Sequence, residues 1–368
     1  MMLTSKLLIV LAMMGACAGC SSESVTAHVP ACNGDAARGM SIADHDVHGF
    51  APYALGYPPY AVDECAVLYV APAAENANGE LRLRNLATRE ESIIAPAQTA
   101  PRRPVIAGDW MAWEADVLGR SLIHLRHRGD VDTVIVDGAF DHAGEPRIST
   151  TAVVFTAWLG PDAMDDTDVL LYDFATTNLT TIGGGPGQQR FADISSTHAA
   201  WSDFSEDPDS RFDENAFDVA DIVVLDRQTN MTTTRPRPGK QAFPMLGATD
   251  KIAFLDWNLV HPEPKLIAYD LRLADIGDSL NDSVLVESIR TAAPYIRPVA
   301  RGAWLEWIAF DDLVGSSVWR MHTDASSLPE VVREPSFTNR FAPAVTDTMT
   351  FVGVQSNTGA VELETYGR

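Results

Sequence analysis

Seven times between Tyr53 and Arg368 the chain repeats one phrase: a proline or its substitute, an aromatic within an apolar stretch, a polar loop, then a second apolar stretch often closing on Asp or Asn. Pro59 leads to Tyr69, Pro104 to Trp113, Pro146 to Phe155 and Ala192 to Trp201; Pro244 leads to Phe254, Pro298 to Trp307 and Pro343 to Phe351. A period of about 42 to 54 residues marks a closed ring of blades. The phrase predicts an all-β β-propeller of seven four-stranded blades. Six is the next count, because the first copy is the least regular and the last is short.

Within each copy the aromatic sits on an apolar run, as at Trp110 to Trp113 or Ile252 to Leu255, which fits a second strand packed on both faces. Third strands follow at Leu81 to Leu86, Leu122 to Leu125, Val169 to Phe174, Ile222 to Asp226, Leu266 to Leu271, Val318 to Met321 and Val361 to Leu363. After several of these, Asn85, Asp173 and Asp226 open polar turns in which a side-chain oxygen can bond nearby backbone N–H groups. One such meander is apolar on both faces and is buried only by its neighbours.

The seventh copy reaches Arg368 directly after its third strand, so a segment between Val25 and Phe50 is expected to supply the missing fourth strand. A bridge between Cys32 and Cys65 would fasten that segment to the first blade; two separate thiols are the alternative.

Lys6 precedes the apolar run Leu7 to Met14, too short to span a bilayer but suited to a secretory leader. Cys17-Ala18-Gly19-Cys20-Ser21 then resembles a bacterial lipoprotein signal, in which Cys20 is acylated and becomes the mature N-terminus. The resemblance implies residues 1–19 as leader, 20–50 as lipidated tether and ring-closing segment, and 51–368 as propeller. Ser21 after the cysteine implies the outer membrane, facing the periplasm. Ordinary cleavage to a soluble periplasmic protein is the alternative.

Loss of the leader removes Lys6 and no acid, so the formal charge moves from −23 to −24. That surface repels nucleic acid and anionic headgroups, and leaves the lipid as the membrane contact. A single monomeric domain is expected.

Two charged sets are expected on one face of the ring. Acidic loops between second and third strands include Glu114 and Asp116, then Asp165 and Asp166, then Asp203, Glu206, Asp207, Asp209, Asp213 and Glu214. Asp165, Asp166, Asp207, Asp209 and Asp213 are candidates for binding a protein partner. The stretch from Asp203 to Glu214 is the candidate calcium site, since hard cations take several oxygens, though its spacing is not that of an EF-hand. Solvated loops are the plainer reading. Arg103, Arg190, Arg297 and Arg340 enter first strands at similar places and form an expected positive collar at the channel mouth. They are candidates to bind an anionic ligand or to form ion pairs between blades. His124 and His127, three apart on a strand, point to opposite faces and are not a ligand pair. The mature sequence carries neither G-x-S-x-G nor H-E-x-x-H.

The proline-led first strand, the Ala-Trp or Ala-Phe second strand and the Asp-closed third strand with its Thr-containing turn resemble the TolB-like branch of β-propellers. This implies an envelope protein whose propeller faces bind partners without catalysis. An axial-channel enzyme, or a receptor for a glycan or small anionic ligand, is the second expectation.

Overall fold

The computed structural model describes residues 32, 37, 40–42, 58–73, 76–135, 140–160, 166–207, 219–247, 250–257, 267–291, 297–311, 315–324, 326–336, 339–355 and 361–367. Cys20 and the leader lie outside them. The unit spanning Cys32–Arg368 contains seven antiparallel four-stranded sheets, each running outward from a first strand to a fourth. The first strands are Tyr60–Asp63, Arg102–Ala107, His142–Ile148, Gln189–Ile194, Lys240–Leu246, Val299–Arg301 and Asn339–Val345, numbered here as blades 1 to 7. The count is seven, and six is set aside. Among the described residues no helix is long and apolar enough to cross a membrane.

The recurring aromatics Tyr69, Trp113, Phe155, Trp201, Phe254, Trp307 and Phe351 are all buried. Each stands on a second strand, and the core lies between sheets. Leu68, Val70 and Leu81 of blade 1 meet Ile106, Met111 and Trp113 of blade 2. Tyr60, Val67 and Tyr69 of blade 1 meet Met349, Phe351 and Leu363 of blade 7. Each such side chain contributes about 1.5 to 3 kcal/mol on burial, which no isolated sheet can collect. Fourth strands form the perimeter and turn polar, as in the exposed run Met231 to Thr234.

The Asp and Asn turns form as the residue types require. Asn85 Oδ1 accepts from the N–H groups of Ala87 and Thr88, Asp173 Oδ1 from Thr176, and Asp226 Oδ1 from Gln228 and Thr229.

Closure uses the N-terminal segment. Ser41–Ile42 pairs antiparallel with Val361–Gly367, the third strand of blade 7, so Ser41 faces Glu362 and Ile42 faces Val361. Cys32 is disulfide-bonded to Cys65 in the first turn of blade 1, with Cα atoms 5.2 Å apart. The phenol of Tyr60 accepts the N–H of Gly353 at 2.8 Å and stitches blade 1 to blade 7 from inside.

The recurring proline has a local cause. In blades 2, 3, 4, 5 and 7 the first strand carries one extra residue against the second, a β-bulge between Arg102 and Val105 and at the corresponding places. In four of these blades one residue of the bulge is left-handed: Arg103 (φ 49°), Glu145 (φ 59°), Phe191 (φ 57°) and Phe243 (φ 57°). Pro104, Pro146, Ala192 or Pro244 follows. A residue without a ladder partner loses nothing by lacking an N–H, so proline is tolerated there. The N–H groups freed at Glu145 and Phe243 are taken up by the preceding blade, by Glu114 Oε1 at 2.6 Å and Ser202 Oγ at 3.1 Å.

Candidate functional site

The four arginines expected at the channel mouth do not form a collar. Arg103 and Arg297 stand directly before the recurring proline, Arg190 two residues before Ala192, and Arg340 three before Pro343, so their registers differ and their side chains diverge. Arg103 Nη1 reaches Glu114 Oε1 at 2.9 Å. Arg190, fully buried, pairs with the equally buried Glu145 of blade 3. Arg340 donates to the carbonyl of Ser316 in blade 6 at 2.8 Å. Arg297 donates to the carbonyl of Pro244 in blade 5 at 2.7 Å. Of the four only Arg297 also lines the axial cavity.

Glu114, expected on the acidic rim, is instead 1% exposed. It accepts from Arg102, Arg103 and the Glu145 backbone, joining blade 2 to blade 3. Glu145 continues the chain to Arg190 of blade 4 and accepts from Thr156 at 3.1 Å. Burial pushes the Glu145 carboxyl up, but Arg190, Arg103 and Thr156 outweigh it and hold the group below the usual carboxylate range. His124 and His127 likewise serve packing, stacked on Trp113 and edge-on to Trp110.

The acidic loops are partly visible. Asp203 and Asp221 face each other across the ladder of blade 4 at the base of its long loop. Burial, with Glu206 and Asp203 adding to it, raises the Asp221 carboxyl although the Arg237 N–H opposes the shift. On blade 3 burial, then Asp166, raises Asp168 in the same way. Among the described residues Asp166, Asp168, Asp203, Glu206 and Asp221 make no ion pair. Asp207 is buried and accepts the N–H of Val219 at 2.6 Å. Asp165, Asp209, Asp213 and Glu214 lie outside the described residues. Among those described, no group of three or more His, Cys, Asp or Glu side chains could hold a metal ion.

The cavity of about 330 Å³ is ringed by first strands of all seven blades and opens to solvent. It extends from the bulges to the turns joining first and second strands, away from the acidic loops. Its wall mixes apolar residues, Val105, Met245, Leu246 and Val345 among them, with the hydroxyl residues Ser149, Thr150, Ser195 and Ser196, and carries Arg147, Asp193, Arg297 and Arg301. Asp193 accepts the N–H of Leu246 at 2.8 Å. Burial raises its carboxyl although Arg297 and Arg147 both pull it down. Arg301 reaches from blade 6 past blade 7, donating to the Val62 carbonyl at 2.7 Å and pairing with Asp63 of blade 1. The sequence reading passed over Arg147 and Asp193. Their signal was a charge directly after the recurring proline or alanine, where other copies carry Val105, Met245, Val299 and Ala344.

No family model matches the chain, and no curated protein matches it. Among solved structures it is similar to oligogalacturonate lyase from Vibrio parahaemolyticus, with TM-score 0.58 and 10% identity, covering 85% of this chain and 90% of that one. The β-propeller domain of the Trilobed protease from Pyrococcus furiosus gives TM-score 0.58 and 11% identity, over 85% and 93%. TolB from Acinetobacter baumannii gives TM-score 0.46 and 16% identity; 74% of this chain is covered, and it spans 66% of that protein's length. At these identities the likeness is one of fold.

Proposed function

We propose that this chain is a lipid-anchored β-propeller of the bacterial cell envelope, held at the outer membrane by Cys20 and facing the periplasm. There it acts as a non-catalytic scaffold that binds an envelope protein of basic surface. The observation that supports this most is the set of carboxylates on adjacent blades 3 and 4: burial and then Asp166 raise the Asp168 carboxyl, burial with Glu206 and Asp203 raises Asp221, and none of the five makes an ion pair among the described residues. Like charges held together cost free energy that a cationic partner recovers on binding. The leader sequence supplies the address.

Two arms test the proposal in cells of the source lineage. Cys20→Ser should abolish labelling by a palmitate analogue and move the protein to the soluble fraction. In envelope extracts the purified chain should capture a partner whose recovery falls at least tenfold on charge reversal at Asp166 and Glu206 and declines with added salt. Retained labelling overturns the anchor; recovery indifferent to both charge and salt overturns the acidic face.

A further inference from the structure

The chain enters the propeller on one particular side. In an antiparallel four-stranded sheet the turns from first to second and from third to fourth strands share a face, here the near face, and the turns from second to third strands lie on the far face. Cys65 stands in the first of these turns in blade 1, and the disulfide holds Cys32 there with Cα atoms 5.2 Å apart. Ser41–Ile42 runs antiparallel to the third strand of blade 7, so the chain descends from the near face into the ring. The acidic loops of blades 3 and 4 are on the far face.

Twelve residue steps separate Cys20 from Cys32, a reach of about 40 Å at roughly 3.3 to 3.6 Å per step. To reach the far face from Cys65, such a tether must clear the perimeter, about three strand spacings of roughly 4.8 Å, and then pass a strand such as Thr167–Asp173, about 23 Å long. That path takes nearly the whole extended length and most of its conformational freedom. The near face is reached at no such cost.

The near face is also the more apolar. Among the described residues ten large apolar side chains are exposed, and all but Leu118 and Leu159 stand on fourth strands or the turns leading to them. Val131, Met231, Val284 and Leu328 stand at those turns in blades 2, 4, 5 and 6. Half-buried Trp110 and Phe174 stack at 4.1 Å between blades 2 and 3 on the same side, and such rings settle at membrane interfaces. Four acids at these turns are paired, Asp63 with Arg301, Asp109 with Arg128, Asp173 with Arg227 and Asp275 with Lys251. On the far face Asp166, Asp168, Asp203, Glu206 and Asp221 make no such pair among the described residues.

We propose that the near face rests on the lipid surface, with Val131, Met231, Val284 and Leu328 entering the headgroup boundary and the acidic loops turned away from the membrane. The placement rests on the Cys20 anchor proposed above and deepens that reading, because it leaves the acidic face open to a partner.

Hydrogen exchange of the full mature chain, coupled through the Cys20 thiol to a maleimide lipid in phosphatidylcholine vesicles, reads the face separately from acylation in cells. Peptides holding Val131, Met231, Val284 and Leu328 should exchange about threefold more slowly on vesicles than in the uncoupled chain, and those holding Leu118 and Leu159 at unchanged rates. Val131→Glu with Leu328→Glu should abolish the slowing at both turns and leave Tm unchanged, since both side chains are already exposed. No slowing at these turns, equal slowing at Leu118, slowing confined to blades 1 and 7, or slowing retained in the double variant overturns the placement alone. Absence of palmitate label in cells overturns the anchor and the placement with it.

Discussion

Glu145 and Arg190 meet with both side chains essentially out of solvent, which makes each the condition for the other. Removing one partner of such a pair leaves a buried charge without compensation and costs about 3 to 5 kcal/mol. Glu145→Gln should lower stability by that order at pH 7, read from urea denaturation. The pH dependence has a definite sign. Because the folded carboxyl is held below its ordinary value of about 4.5, its contribution is complete above that pH and is lost as pH falls through the folded value. The gap between parent and Glu145→Gln should therefore narrow in acid; a gap constant from pH 7 to pH 3 would refute the pairing. Asp193 runs the other way. Its raised carboxyl favours the folded state at low pH and loses that advantage as pH climbs through the folded value, so Asp193→Asn should gain on the parent between acid and neutral pH. Neither residue stood out in the sequence. Glu145 reaches Arg190 across 45 positions, and Glu114 lies 31 from the backbone it caps, so proximity in the chain gave no sign of either contact.

At the scale of strands, the repeated proline was legible because it punctuates each copy, but its meaning is a bulge. In five blades the extra residue turns the first strand, and in blades 3 and 5 it frees an N–H for a side chain of the preceding blade, Glu114 or Ser202. Neighbouring blades also approach closely through glycine. A Cβ on Gly183, at the end of blade 3, would lie 2.7 Å from the Trp201 indole of blade 4, which is buried. Gly183→Ala should cost about 1 to 3 kcal/mol through overpacking and move the near-ultraviolet dichroism of the tryptophans. Wild-type stability in that variant would show that the two blades are less tightly joined than described. The polar turns at Asn85, Asp173 and Asp226 needed no tertiary information, since donors and acceptors lie within three residues.

For the whole molecule, the ring depends on its closure. Two residues, Ser41 and Ile42, complete blade 7, and the disulfide holds their segment against blade 1. Cys32 and Cys65 are 33 residues apart, and closing a loop of that length is worth roughly 3 to 4 kcal/mol in the chain-entropy model. Cys32→Ser with Cys65→Ser, or reduction of the parent, should lower Tm by several degrees and speed proteolysis near Ser41; equal melting of reduced and oxidised protein would remove the disulfide from the closure.

Repetition, burial of the aromatics and the short polar turns are properties of residues near one another in the chain, so blade number and strand order were readable without coordinates. The fourth strand of blade 7 was readable too, because an unpaired edge must be covered, and Ser41–Ile42 covers it. Charge was another matter. Whether an arginine faces open water, a carbonyl or a carboxylate depends on which strand of another blade lies opposite, and on a bulge that shifts the register by one residue. Folding therefore turned the expected collar into contacts within and between blades, carried Glu114 from the rim into the interior, and gathered Arg147, Asp193 and Arg297 from three different copies around one cavity.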